Sequence, residues 1–258
     1  MSAVKGQLRE NILINTDLSQ AELRCMAIFS GDEWMQAALQ EGEGDFFSYH
    51  MLPACYPKLF PKGVDDVLAF QKSHPVDFKE ARTNVKGVQY GLAFGRQAAA
   101  IGKALGMSAR GAQEIIDNYF RTATGFAQWR LDVMEAAVNP SKRDLLVNPF
   151  GRRFHSEMVT PKNAPNVQRE ALSFLPQSTS SDICLTTAIL IDLELEAQGY
   201  KIFNTVHDAL MILGPRDGAE RIGAYVGEKF RAVGASIMGD GVPFLSDFSI
   251  GNSWADLD

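Results

Sequence analysis

Strand-like and helical patterns occupy different parts of this chain of 258 residues. Strand-like runs lie near both ends, whereas residues 78–140 show helical spacing with only local breaks. Such separation is typical of α+β domains, in which helices are set apart from an antiparallel sheet. The sequence therefore predicts an α+β fold that has an antiparallel sheet and a helical insertion.

Local signals predict where the individual elements begin and end. Asp32 is a candidate N-cap, Ser108 and Gly125 are candidate breaks in the helical region, and the proline-rich residues 53–63 predict a loop. The predicted elements are a strand over 12–15 ending at Asp17, helices over 18–29, 182–197 and 217–233, hairpins over 145–155 and 201–213, and a last strand over 244–250.

Composition excludes several protein classes. Apolar residues make up 46% and charged residues 22% of the chain, as in an ordinary folded domain. The longest apolar run, within residues 183–195, contains two acidic residues and is too short to span a bilayer. Cys25, Cys55 and Cys184 are scattered, which predicts small core residues and no disulfide framework or zinc site. With no N-terminal signal peptide visible and no paired cysteines, we expect a protein of the reducing cytoplasm.

The charge distribution leaves room for a polyanionic partner. With 25 basic and 31 acidic residues, the net charge of −6 argues against nucleic acid. However, five basic residues and no acidic ones lie within residues 82–110. An acidic protein with one basic stripe can bind a polyanion locally.

Asp17 directly follows the first predicted strand and stands at the start of a helix. An acid in this place can hold a metal ion at a sheet edge. Helix capping is the alternative, because Ser19 and Glu22 fit the S-x-x-E capping box. Taken alone, this segment favours capping.

One helical face predicted within residues 82–95 combines charge with an aromatic ring. Arg82, Lys86 and Tyr90 recur at i, i+4 and i+8, which places them on one side of a helix. Two cations followed by a ring suit a triphosphate followed by a sugar or base. A solvated helix face is the alternative interpretation.

Three glycines recur every fourth residue in the same segment, at Gly87, Gly91 and Gly95. An interior glycine costs a helix about 1 kcal/mol relative to alanine. Either close helix packing or the approach of a flat base accounts for them, and the recurrence favours a functional role.

His207 and Asp208 lie where two strand-like runs meet, and a simple turn explains this pair when it is taken alone. The same hairpin can instead carry a second carboxylate to meet Asp17. Two carboxylates on neighbouring strands can hold two Mg²⁺ ions for in-line phosphoryl transfer. The three segments thus support one another.

In this order and spacing, the three segments resemble motifs A, B and C of the family A (Pol I-like) DNA polymerases. DLSQAELR resembles the family's D-Y-S-Q-I-E-L-R, residues 82–95 resemble R-x3-K-x3-[FY]-G-x2-Y-G, and VHDAL resembles V-H-D-E-L. Residues 169–182 and the tail VPFLSDFSIGNSW resemble two further family segments. The resemblance runs from about Leu13 to the C-terminus and implies a phage-like palm over residues 1–50 and 141–258, with helical fingers over 51–140.

The resemblance also implies roles for individual residues. Two Mg²⁺ ions, with Mn²⁺ as an alternative, would be bound by Asp17, Asp208 and the backbone carbonyl of Leu18. Lys86 would donate a proton to pyrophosphate. The substrates would be primer-template DNA and a dNTP, and no membrane is expected. The implied contacts are Arg82 and Lys86 with the triphosphate, Glu22 and Tyr90 with the sugar, Phe94 and Gly95 with the template base, and Arg169, Gln177 and His207 with the primer end or minor groove.

The sequence departs from the family pattern in places. Phe94, Ala209 and Ser173 stand where the family usually has tyrosine, glutamate and asparagine. Only 16 residues precede Asp17, so we expect a fragment, a degraded gene product or one half of a split enzyme, with a second polypeptide supplying the thumb and remaining palm. A catalytically silent binding subunit and a single-subunit RNA polymerase relative are the alternatives, although Glu22 argues against an RNA polymerase.

Overall fold

The computed structural model of the chain describes residues 11–40, 42 and 44–257. Two compact units divide these residues. The sheet unit contains residues 11–25, 148–151 and 176–257, and the helical unit contains the described residues of 26–147 and 152–175. The first ten residues, in which the sequence shows no signal peptide, lie outside the described part. The predicted palm and fingers boundaries at 1–50, 51–140 and 141–258 remain predictions.

A four-stranded antiparallel sheet with the order β2-β3-β1-β4 forms the sheet unit's centre. The central strand β1 is mostly buried, and Asp17 is its one exposed residue. The predicted α+β class, with an antiparallel sheet and a helical part, is confirmed. The strands are β1 (Asn11–Leu18), β2 (Lys201–Val206), β3 (Ala209–Pro215) and β4 (Ser246–Gly251).

Three longer helices contribute to the sheet unit, wholly or in part. The last of them packs on β1 and β4, because Ile222, Val226 and Phe230 recur on one face and are buried. Gly223 allows the closest approach, since a Cβ there would lie 2.5 Å from the Phe248 ring. The helices are α1 (Ala21–Ser30), α9 (Ala164–Glu196) and α10 (Ala219–Met238).

The helical unit packs short helices around buried aromatic rings. Tyr119, Phe126 and Phe46 are fully buried. Asp32 caps α2 as predicted, since its carboxylate accepts from Met35 N at 2.9 Å, and it also accepts from Phe126 N at 3.1 Å. The elements are α2 (Glu33–Ala38), a π-helix (Phe46–Met51), α3 (Leu52–Cys55), α4 (Val64–Ser73), α5 (Pro75–Ala93), α6 (Ala98–Ala104), α7 (Ala109–Thr122), α8 (Thr124–Val138) and a 3₁₀ turn (Pro140–Leu145).

Some sequence-based boundaries are wrong. The break expected at Gly125 falls instead at Ala123, and Gly125 lies inside α8. A Cβ at Gly125 would lie 2.9 Å from the Asp32 backbone, so this glycine serves close packing and not helix termination. The loop expected over residues 53–63 contains most of α3.

Two further sequence-based boundaries, one before α9 and one at its start, need correction. The hairpin predicted over residues 145–155 contains only one isolated bridge, Val147 to Arg153. The helix predicted to begin at residue 182 begins at Ala164 and continues through Pro176. An interior proline removes one helical hydrogen bond, and the 33-residue length of α9 shows that neighbouring turns tolerate this loss.

The described residues show where the cysteines lie and how long and apolar the helices are. The thiols of Cys25, Cys55 and Cys184 are buried and unpaired, as expected of core residues. Within residues 11–40, 42 and 44–257, none of the helices has the length and hydrophobicity needed to cross a membrane.

Candidate active site

The two predicted carboxylates meet at one end of the sheet. Asp17 lies near the end of β1 and pairs with Ala209, the residue that follows Asp208 in the β2–β3 turn. The backbone N–H of Leu18 donates to the carbonyl of Asp208 at 3.4 Å. The strand end and the hairpin turn therefore hold both acids beside each other.

The charges of this pair influence each other. Partial burial and the nearby carboxylates of Asp208 and Asp247 raise the pKa of Asp17 to about 6. Burial also raises the pKa of Asp208, although its hydrogen bond with Asp17 opposes that rise. Two carboxylates this close repel each other when both are ionised, so the arrangement favours a bound cation or a shared proton.

One residue shortly after Asp17 and one directly before Asp208 have a strained, left-handed backbone. Gln20 and His207 each have φ of 57° and are the described non-glycine residues with positive φ. Gln20 makes the sharp turn from β1 into α1, and His207 directly precedes Asp208 in the hairpin turn. Left-handed backbone costs an L-residue roughly 1–2 kcal/mol, and such strain occurs often at functional sites.

We expect His207→Gly to raise the free energy of unfolding by about 0.5–1 kcal/mol, because glycine adopts positive φ without a Cβ penalty. Urea denaturation of the full chain measures this change. His207→Ala is the matched control, since it removes the exposed imidazole but keeps the strained backbone. Equal stability of the glycine and alanine variants would show that the turn is unstrained.

A cavity of about 290 Å³ opens beside Asp208. Burial and the charge of Asp208 raise the pKa of Glu22, and a hydrogen bond with Gln177 opposes the rise. One carboxylate oxygen of Glu22, Oε2, is buried and has no hydrogen-bond partner. The cavity therefore offers polar groups to a small polar ligand, and its lining residues are Glu22, Gln177, Ser180, Ser181, His207 and Asp208.

A second cavity of about 230 Å³ is lined by both members of the carboxylate pair. The C-terminal residues Trp254 and Leu257 contribute to its wall, together with Asp17 and Asp208. The side-chain oxygen of Asn15, which also lines this cavity, is buried and has no hydrogen-bond partner. Both cavities thus include buried oxygen atoms without hydrogen-bond partners.

The corner after Asp17 is fixed by a buried arginine. Arg24 donates from Nε to the carbonyl of Ser19 at 2.9 Å and from Nη1 to the carbonyl of Pro243 at 2.6 Å. Burial lowers the pKa of Arg24 to about 10. The guanidinium therefore joins the β1–α1 turn to the segment that precedes β4.

Sequence reasoning missed Asp247, a third acid at this site. Asp247 lies directly opposite Asp17 on β4 and accepts a hydrogen bond from the Ser19 hydroxyl at 2.7 Å. The final strand was predicted, but no local signal shows that it pairs with β1. Only that pairing reveals Asp247 as a neighbour of Asp17.

In the helical unit, the basic side chains of the predicted α5 face lie near the ring of Phe47. The guanidinium carbon of Arg82 lies 5.9 Å from the Phe47 ring centroid, and the Lys86 ammonium lies 6.0 Å from the rings of both Phe47 and Tyr90. The side chain of Lys86 is exposed. Arg82 forms a two-pronged ion pair with Asp45, with both N–O distances at 2.8 Å. Sequence reasoning also missed Asp45.

Close packing, the simpler interpretation, accounts for two of the three recurring glycines. A Cβ at Gly87 would lie 3.0 Å from Leu105, and one at Gly91 would lie 2.9 Å from Ile101. Gly95 follows α5 with φ of 68°, and its added Cβ would lie 2.7 Å from the Arg169 side chain. Packing therefore accounts for the absence of side chains at Gly87 and Gly91.

The predicted site residues fall into two groups, one in each compact unit. Among the described residues, no three or more His, Cys, Asp or Glu side chains are arranged so that they could hold a metal ion. Asp17, Leu18, Glu22, Gln177, His207 and Asp208 belong to the sheet unit, and Arg82, Lys86, Tyr90, Phe94, Gly95 and Arg169 belong to the helical unit.

Comparison with known proteins identifies relatives along nearly the whole chain. DNA polymerase I of Deinococcus radiodurans is 28% identical over 98% of this chain, and that of Mycobacterium tuberculosis H37Rv is 30% identical over 94%. Thermostable DNA polymerase I of Thermus aquaticus is 25% identical over 94%. The chain spans about a quarter of the length of these curated relatives, between 24% and 27%.

A solved structure shares the fold. The POL domain of Pol1 from M. smegmatis, in complex with DNA primer-template and dNTP, matches 94% of this chain and 40% of its own, with a TM-score of 0.76 and 25% identity. A family model, DNA polymerase family A, matches residues 2–256. The chain therefore belongs to the family A DNA polymerases.

Proposed function

We propose that this chain is the catalytic part of a DNA-directed DNA polymerase, which adds nucleotides from a dNTP to a primer 3′-hydroxyl. The observation that carries this proposal is the meeting of Asp17 and Asp208 at the end of the sheet. The solved relative that binds DNA primer-template and dNTP supports the assignment of substrates.

The donor atoms at this site fit Mg²⁺ or Mn²⁺. Carboxylate oxygens are hard ligands, and Mg²⁺ is commonly held by one or two carboxylates together with substrate phosphates. We propose that Asp17, Asp208 and the carbonyl of Leu18 hold two divalent ions. When bound, such ions stabilise the attacking and leaving oxygens of phosphoryl transfer.

The cations of α5 are proposed to bind the triphosphate. Arg82 and Lys86 would each form charge-assisted hydrogen bonds to phosphate oxygens. Arg82 is paired with Asp45 in this structure, so a triphosphate would compete with that carboxylate. The ammonium of Lys86 is proposed to donate the proton that the pyrophosphate leaving group needs. Tyr90, one turn further along α5, would contact the sugar near its 3′ position.

Glu22 is proposed to exclude the 2′-hydroxyl of a ribonucleotide. The carboxylate lies at the cavity beside Asp208 and one of its oxygens is buried without a partner. The family usually has a tyrosine where Phe94 stands, and phenylalanine has no hydroxyl to offer to Glu22. Exclusion of the 2′-hydroxyl is therefore proposed to depend on Glu22 itself.

We expect Glu22→Ala to relax sugar selection about tenfold or more, because removing the side chain opens room for the 2′-hydroxyl. The ratio of kcat/KM for a dNTP to that for the matching rNTP measures the change. Glu22→Gln is the matched control, since it keeps the volume and removes only the charge. Unchanged selectivity in the alanine variant would assign the sugar gate to another residue.

The remaining predicted residues are proposed to contact DNA. Phe94 and Gly95 would flank the template base, while Arg169, Gln177 and His207 would contact the primer end or the minor groove. In this proposal the sheet unit belongs to the palm, predicted over residues 1–50 and 141–258, and the fingers are the part of the helical unit over residues 51–140. The second polypeptide expected to supply a thumb and the remaining palm stays a prediction.

Metal-dependent primer extension tests the proposed function. The full chain, alone and together with a thumb-bearing polypeptide, is incubated with primer-template, dNTPs and Mg²⁺ or Mn²⁺. We expect template-directed extension that a chelator abolishes. Failure in every combination would favour the catalytically silent subunit.

A further inference from the structure

Three side chains lie in a row across three neighbouring strands of the sheet, β3, β1 and β4. Asp17 on β1 has Ala209 directly opposite on β3 and Asp247 directly opposite on β4. Residues directly opposite one another in antiparallel strands point to the same face of the sheet. Asp247 therefore lies on the face that carries Asp17, on the side away from Ala209.

Asp247 also contacts the corner that follows Asp17. Its carboxylate accepts a hydrogen bond from the Ser19 hydroxyl at 2.7 Å, while the Ser19 carbonyl accepts one from Arg24 at 2.9 Å. Ser19 is therefore held from two sides. Because Ser19 follows Leu18 directly, these contacts also hold the backbone carbonyl of Leu18, which is proposed to bind a cation.

The carboxylate of Asp247 lies beside the carboxylate pair without completing a three-acid metal site among the described residues. The side chain of Asp247 is exposed, so its charge acts on a cation through partly solvated surroundings. A negative charge beside a cation site favours a divalent ion, and this attraction is moderate because solvent screens it.

We infer that Asp247 is a positioning residue of the cation site, which strengthens divalent-ion binding at Asp17 and Asp208 through its charge and holds Ser19 through its hydrogen bond. This inference rests on the proposed function. No assigned role of the carboxylate pair depends on it, so the two can fail separately.

Direct Mn²⁺ binding tests the inference without a catalytic readout. The full chain is titrated with Mn²⁺ and the free ion is measured by electron paramagnetic resonance. We expect Asp247→Asn to weaken binding about five- to tenfold, because fewer charges at a cation site lower its affinity. Asparagine keeps an oxygen that accepts the Ser19 hydrogen bond, so this variant isolates the charge. Asp192→Asn, which removes an equal charge from the exposed surface of α9, should bind as the unchanged chain does.

A conservative variant tests whether the charge is what matters. Asp247→Glu should retain most of the affinity, because it keeps the negative charge on β4. Unchanged Mn²⁺ affinity in Asp247→Asn, with loss of binding in Asp17→Asn, would overturn this inference alone. Unchanged affinity in both variants would overturn the proposed metal site as well.

Discussion

Replacing either Asp17 or Asp208 with asparagine should reduce nucleotide addition to below about one thousandth of its original rate. Paired divalent ions contribute several kcal/mol to phosphoryl transfer, and each 1.36 kcal/mol corresponds to about tenfold in rate. Asparagine keeps the side-chain volume but removes the charge that the cations need. Single-turnover primer extension by the full chain, supplemented with a thumb-bearing polypeptide if one is required, measures the loss.

The fold should remain intact in both variants. Asp17 is exposed and Asp208 is half-buried, so neither change creates a cavity in the core. Removing one of two repelling carboxylates should leave the midpoint of thermal unfolding unchanged or slightly raised. Near-original extension by a well-folded Asp17→Asn or Asp208→Asn variant would refute the two-metal assignment.

Lys86→Ala should lower kcat by roughly 10²–10³-fold, because a positioned proton donor contributes about that much to catalysis. The ammonium is exposed and lies near the rings of Phe47 and Tyr90. Its loss should therefore disturb chemistry more than packing. Pre-steady-state incorporation, followed over a range of dNTP concentrations, separates kcat from KM.

Arg82 provides the comparison for Lys86. Arg82→Ala should raise KM for the dNTP and also destabilise the helical unit, because it leaves the half-buried Asp45 without its partner. The double variant Arg82→Ala/Asp45→Asn removes that unpaired charge and isolates the effect on the nucleotide. A Lys86→Ala effect confined to DNA affinity would contradict the role of Lys86 in the chemical step.

The sequence predicts the carboxylate pair well because each acid has a local signature. Asp17 follows an apolar strand, and Asp208 lies in a short hairpin turn, so strand pairing alone brings them together. The basic face of α5 was also predicted, since its spacing depends only on helical geometry. Each of these local signals depends on residues close together in the chain, and the resemblance to the family motifs joined the two acids into one site.

Features that depend on distant contacts could not be predicted. Asp247 is more than 200 residues from Asp17, and only the order of strands makes them neighbours. Asp45 was missed because its ion pair with Arg82 joins a loop to a helix 37 residues away. The close packing at Gly87 and Gly91 could not be predicted for the same reason, because Leu105 and Ile101 lie outside α5.

The two-residue turn between β2 and β3 constrains how this protein can evolve. Asp208 reaches Asp17 because the β1–β3 register pairs Asp17 with Ala209. Inserting or deleting one residue in a strand turns its following side chains to the other face of the sheet. The ladder already contains one irregularity at Phe203, between Ile202 and Asn204, which lies upstream of the turn and leaves Asp208 in place. Lineages of this protein should therefore accumulate substitutions in this hairpin but tolerate length changes only before Asn204.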